Sequence, residues 1–142
     1  MSAIDISDET FIVAPTAFLQ RELCDEESWR PLGLSLTCYD DRGIKGKRWR
    51  LTGNLTGTAE VWLEPVGDGV TVHVFVQADP VKLRRWSNPQ KSYSRRIKRR
   101  ILDIKRHYDL ERPAGMPAVR PVGDEAPEGG KLTASKVPTK ES

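Results

Sequence analysis

Arginine and lysine side chains that could bind an anion are concentrated in one stretch of the chain. Twelve of the 23 basic residues fall between Lys82 and Arg112, against three acidic residues, which gives this stretch a net charge of +9. Residues 1–81 carry seven basic and thirteen acidic side chains, a net −6, so the overall +3 hides a strong separation of charge. Clustered cations attract phosphate and carboxylate groups. We therefore predict an anion-binding surface made of Arg84, Arg85, Arg95, Arg96, Lys98, Arg99 and Arg100.

The partner of this surface is open at the level of sequence. Arg84 and Arg85 precede Trp86, and a mixture of cations with an aromatic ring is typical of anion-binding surfaces, for which nucleic acid is one possible partner. The surface of an anionic membrane is a second possible partner. The alternative is structural, because the acidic body of the domain could neutralise the basic stretch within the fold.

Few side chains are placed for acid–base chemistry. His73 is the best single residue for it, in a predicted strand and opposite in phase to a row of valines, but a hydrogen-bonded sheet histidine has the same pattern. Glu60 and Glu64 share one strand face with Trp62. Burying two carboxylates costs several kcal/mol, roughly, unless they are paired, so we expect them on the solvent side, paired with Arg48 or Arg50. We assign no catalytic residue, and the chain is expected to be a binding domain rather than an enzyme.

The two cysteines do not suggest a metal site. Cys24 and Cys38 have no His or further Cys at metal-ligand spacing, so we expect no metal and no other cofactor. Two free thiols in a reducing compartment are the preferred interpretation, with a disulfide as the alternative. No apolar run reaches the ~18 residues that a membrane span requires, and the start of the chain lacks a signal-peptide pattern. A cytoplasmic location is expected.

Alternating residues predict an antiparallel sheet of five strands. The first runs from Ile4 to Val13, with a break in its alternation near Asp8 that predicts a bulge or a two-sided environment. Two short helices follow, with Thr16 and Asp25 as their N-caps. Four strands then form a meander, and the Gly67-Asp68-Gly69 turn before the last one is the strongest hairpin signal in the chain.

A long helix is predicted from Pro89 to Leu110. Asn88 is a good N-cap before a proline at the first helical position. Its apolar residues recur at steps of four, four, three and four and form one stripe that should face the sheet: Tyr93, Ile97, Ile101, Ile104 and Tyr108. Residues 113–142 are rich in Pro and Gly without periodicity, which predicts a disordered tail and a folded unit over residues 3–112.

This α+β order resembles the START-like superfamily, which has the helix-grip fold, and in particular its bacterial polyketide cyclase/dehydrase-like branch. The resemblance is carried by four segments and the long helix: residues 9–15, 25–31, 53–65 and 69–76. It implies a curved sheet wrapped around the C-terminal helix, with a cavity for a lipid, sterol or polyketide between them. Some members of this superfamily catalyse cyclisation or dehydration. Larger members have seven strands, so a five-stranded sheet implies a smaller or more open cavity.

The resemblance also implies where a ligand would lie. The residues expected around such a cavity are Trp29, Val72, Val74, Val76, Ile97, Ile101, Ile104 and Tyr108. Our first hypothesis is a domain that binds a hydrophobic small molecule or lipid there and anionic groups on its basic helix. The alternatives are an adaptor for nucleic acid or a ribonucleoprotein, and a cyclase or dehydratase. A closed apolar cavity of a few hundred Å³, roughly, would favour the first, and a filled interior with a contiguous basic surface would favour the adaptor.

Overall fold

The main part of the fold is a five-stranded antiparallel sheet with helices on one of its faces. In the computed structural model, residues 2–82, 88–111, 125–127 and 130–132 are described. The five strands are β1 (Ile4–Ile12), β2 (Ser35–Asp41), β3 (Gly46–Thr52), β4 (Leu55–Val66) and β5 (Gly69–Pro80). The helices are α1 (Thr16–Leu23), α2 (Glu26–Trp29) and α3 (Pro89–Glu111), with 3₁₀ turns at Arg30–Leu32 and Gly43–Lys45. The predicted α+β architecture is confirmed.

The sheet has the strand order β1-β5-β4-β3-β2, so the two longest strands lie in and beside its centre. β4 and β5 pair from Leu55 with Pro80 to Val66 with Gly69, as the predicted hairpin requires. Alternate residues of these strands point to a buried inner face, and these include Val61, Val72 and Val74. The other residues point to the outer face of the sheet. The period of two in the sequence therefore specifies which residues enter the core.

α3 covers the inner face with its apolar stripe. It begins after Asn88, whose side chain accepts a hydrogen bond of 3.1 Å from the backbone N–H of Lys91, and it ends one residue beyond the predicted Leu110. Ile97, Ile101 and Ile104 are buried in the same core as the inner-face residues of the strands, and Tyr93 and Tyr108 pack against its margin.

β1 pairs with β5 without a bulge. Its inward positions are Ile4, Ile6, Asp8, Thr10 and Ile12, a strict alternation in which two members are polar. Lys98 of α3 donates hydrogen bonds of 2.9 Å to both Asp8 and Thr10. The break in the sequence pattern is therefore not a change in backbone geometry. It marks the place where β1 contacts a lysine of the helix.

The short helices close one end of the sheet. Asp25 caps α2 as predicted, accepting a hydrogen bond from the backbone N–H of Glu27 at 3.1 Å. The prediction for Thr16 is wrong, because Thr16 is already the first residue of α1 and no side chain caps that helix. Most of the predicted tail lies outside the described residues. Two short strands within it, Glu125–Pro127 and Gly130–Leu132, pair with each other in antiparallel fashion.

The stripe of α3 can be tested with two adjacent residues. Ile101 is 0% exposed and Leu102 is 41% exposed, so they differ in burial while lying next to each other in one helix. We expect Ile101→Ala to lower the free energy of unfolding by about 2–5 kcal/mol and Leu102→Ala to change it by less than about 0.5 kcal/mol. Urea denaturation monitored by circular dichroism measures both. Equal effects would contradict the assignment of the buried stripe.

Candidate functional site

The interior between the sheet and α3 is filled with side chains. Seven of the eight residues predicted to line a cavity are buried in the core: Trp29, Val72, Val74, Val76, Ile97, Ile101 and Ile104. The eighth, Tyr108, packs at the margin of the core. Within this interior, an apolar space lies between the two tryptophans Trp29 and Trp49, but its volume is only about 10 Å³. A cavity needs about 10–15 Å³ of such volume to hold a single water molecule. In this conformation the space is too small for a lipid or polyketide.

Trp29 is one of the residues that fill this interior. It is buried, and its indole N–H donates a hydrogen bond of 2.7 Å to the carbonyl oxygen of Leu23. The guanidinium of Arg100 lies 5.7 Å from its ring centroid. Trp29 therefore fills the space between α1 and α3 instead of lining a ligand cavity.

Four cations of α3 hold the helix to its neighbours rather than pointing away. On the β1 side, Lys98 binds Asp8 and Thr10, and Lys105 donates a hydrogen bond of 2.7 Å to the carbonyl oxygen of Phe11. On the opposite side, Arg96 and Arg100 donate to the carbonyl oxygens of Leu32 and Glu22 at 3.1 and 2.9 Å. These bonds fix the rotation of the helix about its axis.

Four further cations form what we call the cationic row: Lys91, Arg95, Arg99 and Arg106. Their steps of four, four and seven residues place them along one line of the helix, and all four are exposed. Within the described part of the chain, none of the four side chains has a hydrogen bond, ion pair or ring contact. Asp103 lies on the same face but forms no ion pair with the row in that part of the chain.

The predicted anion-binding set is thus divided by the structure. Arg95 and Arg99 belong to the cationic row, whereas Arg96, Lys98 and Arg100 hold α3 in place. Arg84 and Arg85 lie outside the described residues. Lys91 and Arg106 were not in the predicted set. Their spacing from Arg95 and Arg99 along one helical line was the signal that would have included them.

The outer face of the sheet holds His73. Its ring is 5% exposed and stacks on Trp62 with the ring centroids 4.1 Å apart. Its Nε2 lies 3.0 Å from Glu64, and its Nδ1 lies 3.3 Å from Glu9. Both ring nitrogens thus have carboxylate partners within the fold. His73 is a hydrogen-bonded sheet histidine, the alternative to an acid–base role.

Glu60 also lies on the outer face, where it was predicted. Its carboxylate is 3.0 Å from the guanidinium of Arg42 and 3.3 Å from that of Arg48. The predicted cross-strand pair with Arg48 is therefore present, and Arg42 is an additional partner. Glu64 differs from the prediction because it pairs with His73 instead of an arginine.

Glu26 anchors α2 to β3. It accepts hydrogen bonds from the indole N–H of Trp49 at 2.9 Å and from Lys47 at 3.0 Å. Partial burial raises the pKa of the Glu26 carboxyl, but these two hydrogen bonds, a backbone hydrogen bond and the positive charge of Lys47 together outweigh it and hold that pKa below its usual range. The same bond to Glu26 raises the pKa of Lys47. Burial raises the pKa of the nearby Cys24 thiol to about 12, so this thiol stays protonated and unreactive at neutral pH.

Comparison with known proteins identifies the fold. No family model and no curated protein matches the sequence. The crystal structure of DR_A0006 from Deinococcus radiodurans is similar with a TM-score of 0.55 and 17% identity, covering 76% of this chain and 98% of that one. The solution structure of the Aha1 dimer from Colwellia psychrerythraea is similar with a TM-score of 0.58 and 11% identity, covering 78% and 99%.

The fold is of the helix-grip type. At these identities the likeness extends to the fold and not to function. In the described residues, no helix combines the length and apolar character needed to cross a membrane.

The Glu26 contacts predict a stability that depends on pH. A carboxyl whose pKa is lowered by folding stabilises the protein above its unfolded pKa, here the ordinary 4.5, and this stabilisation is lost as the pH falls through the folded value. We expect Glu26→Gln to be less stable than the unmodified chain at neutral pH, with the difference shrinking below about pH 4.5. Urea denaturation over a pH series measures this.

Glu27→Gln is the matched control for this experiment. Glu27 lies next to Glu26, but its side chain is 69% exposed and pairs only with the equally exposed Arg30. Exposed pairs contribute little, so this variant should resemble the unmodified chain at every pH. A Glu26→Gln difference that persists unchanged in acid would refute the lowered pKa.

Proposed function

We propose that this domain is a nucleic-acid-binding adaptor whose cationic row contacts the phosphate backbone. The observation that carries the proposal is the set of four exposed cations that have no partner within the described part of the chain. Like charges four residues apart on a helix destabilise it. Packing of α3 already uses Arg96, Lys98, Arg100 and Lys105, so the cationic row is not needed for the fold.

The length of the row suits a nucleic acid. Lys91 and Arg106 are fifteen residues apart, which corresponds to roughly 22 Å along a helix with a rise of 1.5 Å per residue. A nucleic-acid duplex advances about 3.4 Å per base pair, so the row spans about six base pairs. Contacts of this kind are made to phosphates and carry little sequence information.

An anionic membrane surface is less suited to this face. A helix that lies in a membrane interface inserts an apolar face and keeps its cations toward the headgroups. The apolar stripe of α3 is buried in the core, and the large apolar residues that remain exposed on the described part of the helix are Leu102 and Leu110, two turns apart. The face therefore offers charge without a continuous apolar surface to insert.

Binding to a short DNA duplex tests the proposal. If four phosphates are neutralised, the logarithm of the binding constant should fall with the logarithm of salt concentration with a slope of about −3 to −4. We expect Arg99→Gln to weaken binding and to reduce the magnitude of the slope by about one. Fluorescence anisotropy over a salt series measures both values.

Lys45→Gln is the matched control for Arg99→Gln. Lys45 is exposed in the 3₁₀ turn before β3, and no other described side chain pairs with it. It changes the net charge equally but lies outside the cationic row, so its salt slope should equal that of the unmodified chain. Equal losses in the two variants, or binding to phosphatidylserine vesicles without binding to DNA, would overturn the proposal.

A hydrophobic ligand, such as a lipid or polyketide, is the second function that the fold suggests. The filled interior argues against it, because a ligand would have to displace Trp29 or Trp49 from the core. A cyclase or dehydratase is weaker still. Among the described residues the buried polar side chains are Thr10, Thr16 and His73, and His73 lies on the other face of the sheet.

Native mass spectrometry distinguishes these functions. We expect protein purified from its own host to give the mass of the bare chain, because the space near Trp29 is about 10 Å³. A lipid-sized adduct that survives gentle desolvation would contradict this expectation and favour the hydrophobic ligand. Protein unfolded and refolded without lipid serves as the control.

A further inference from the structure

The outer face of the sheet has a second surface that nucleic-acid binding does not use. We call it the outer patch and define it as Glu9, Phe11, Trp62, Glu64 and His73. Glu9, His73 and Trp62 are direct neighbours across β1, β5 and β4. The side chains of Glu9 and Glu64 are 68% and 45% exposed, and Phe11 is 40% exposed. The patch thus combines two accessible carboxylates with aromatic rings and contains no lysine or arginine.

The indole ring of Trp62 is covered on one side and lacks a directly opposite side chain on the other. His73 stacks on it from the β5 side. Toward β3, the residue paired with Trp62 is Gly46, which has no side chain. Gly46 has a φ of 124°, and a Cβ at this position would overlap the carbonyl oxygen of Val61. Because a larger residue does not fit there, no side chain of β3 can lie directly opposite Trp62.

The same strand shows which chemical group such a surface accepts. Glu60, Trp62 and Glu64 point to the outer face at alternate positions of β4. Glu60 pairs with the guanidinium groups of Arg42 and Arg48, whereas the hydrogen-bond and ion-pair partner of Glu64 among the described residues is His73 alone. A guanidinium can stack on an indole ring while it donates to an adjacent carboxylate. One carboxylate beside Trp62 therefore has guanidinium partners from the chain itself, and the other has none.

We propose that the outer patch is a docking surface for an arginine-bearing segment of a partner protein. An arginine of that segment stacks on Trp62 from the side of Gly46 and pairs with Glu64, while Glu9 and Phe11 contact the flanking residues. Charge complementarity supports this occupant, because the patch is acidic. The proposal is independent of nucleic-acid binding, which uses the opposite side of the molecule. Together the two surfaces would connect a nucleic acid to a protein.

An arginine-containing peptide tests the proposal, with a version in which citrulline replaces arginine as its neutral counterpart. Titrations of the full chain followed by two-dimensional ¹H–¹⁵N NMR should show shifts in β4 and β5 around Trp62 for the arginine peptide and none for the citrulline peptide. A lysine peptide should bind more weakly because an ammonium cannot form the planar fork. We expect Glu64→Gln to lower the affinity for the arginine peptide by about two- to fivefold, since one exposed ion pair is lost.

Two further variants make the result decisive. Glu27→Gln removes an equal charge from α2 and should bind like the unmodified chain, so equal affinities for it and Glu64→Gln would overturn the proposal. Trp62→Thr keeps a residue suited to a strand but removes the ring on which the arginine stacks. Its affinity for the arginine peptide should be about two- to fivefold lower. The Glu64 side chain is exposed, so we expect Glu64→Gln to fold. This variant therefore remains informative if Trp62→Thr does not fold. DNA binding by Glu64→Gln should be unchanged, which separates this test from that of the cationic row.

A second copy of the chain is the competing occupant. Its cationic row would also complement the acidic outer patch. Sedimentation velocity should show no association that depends on protein concentration. Dimers or larger species that disappear in Arg99→Gln would overturn the proposal in favour of self-association.

Discussion

Burial of one apolar stripe of α3 against the inner face of the sheet is the interaction on which the rest of the structure depends. Ile97, Ile101 and Ile104 bring to the core what the strands alone cannot supply, because an isolated sheet leaves one apolar face exposed to water. A helix has a stripe of limited width, so burying it forces the other residues toward the flanks or the solvent. In α3 those other residues are mostly basic, so the packing of the core determines where the positive charge appears.

The flanks of the helix are held by polar contacts that have different partners on the two sides. Lys98 and Lys105 reach β1, and Arg96 and Arg100 reach backbone carbonyls near the short helices. Each is a hydrogen bond from a charged donor, the stronger class of protein hydrogen bonds. With both flanks attached, the remaining line of cations is directed away from the sheet. The cationic row is thus a consequence of how α3 is oriented.

Much of the architecture could be predicted from the sequence because it rests on periodicity. The alternation around Val72 and Val74 and the stripe of α3 identify the buried residues directly. The break near Asp8 could not be interpreted in this way, since its explanation is a contact with Lys98, ninety residues later in the chain. For the same reason the basic residues of α3 could not be divided into packing and free groups. That division depends on which carbonyls and carboxylates the fold brings close, and local spacing does not encode it.

The size of the interior could not be predicted from the sequence either. It is the reason why we propose an adaptor instead of a domain that binds a hydrophobic ligand. The residues predicted to surround a ligand are apolar and correctly buried, but apolar residues surround a cavity and fill a core equally well. Trp29 and Trp49 decide between the two, because their large rings occupy the space between α3 and the sheet. Because the interior is filled, the surfaces that remain for binding are the cationic row and the outer patch, which carry opposite charge. With its interior filled in this way, the domain presents the cationic row on one side and the acidic, aromatic outer patch on the other.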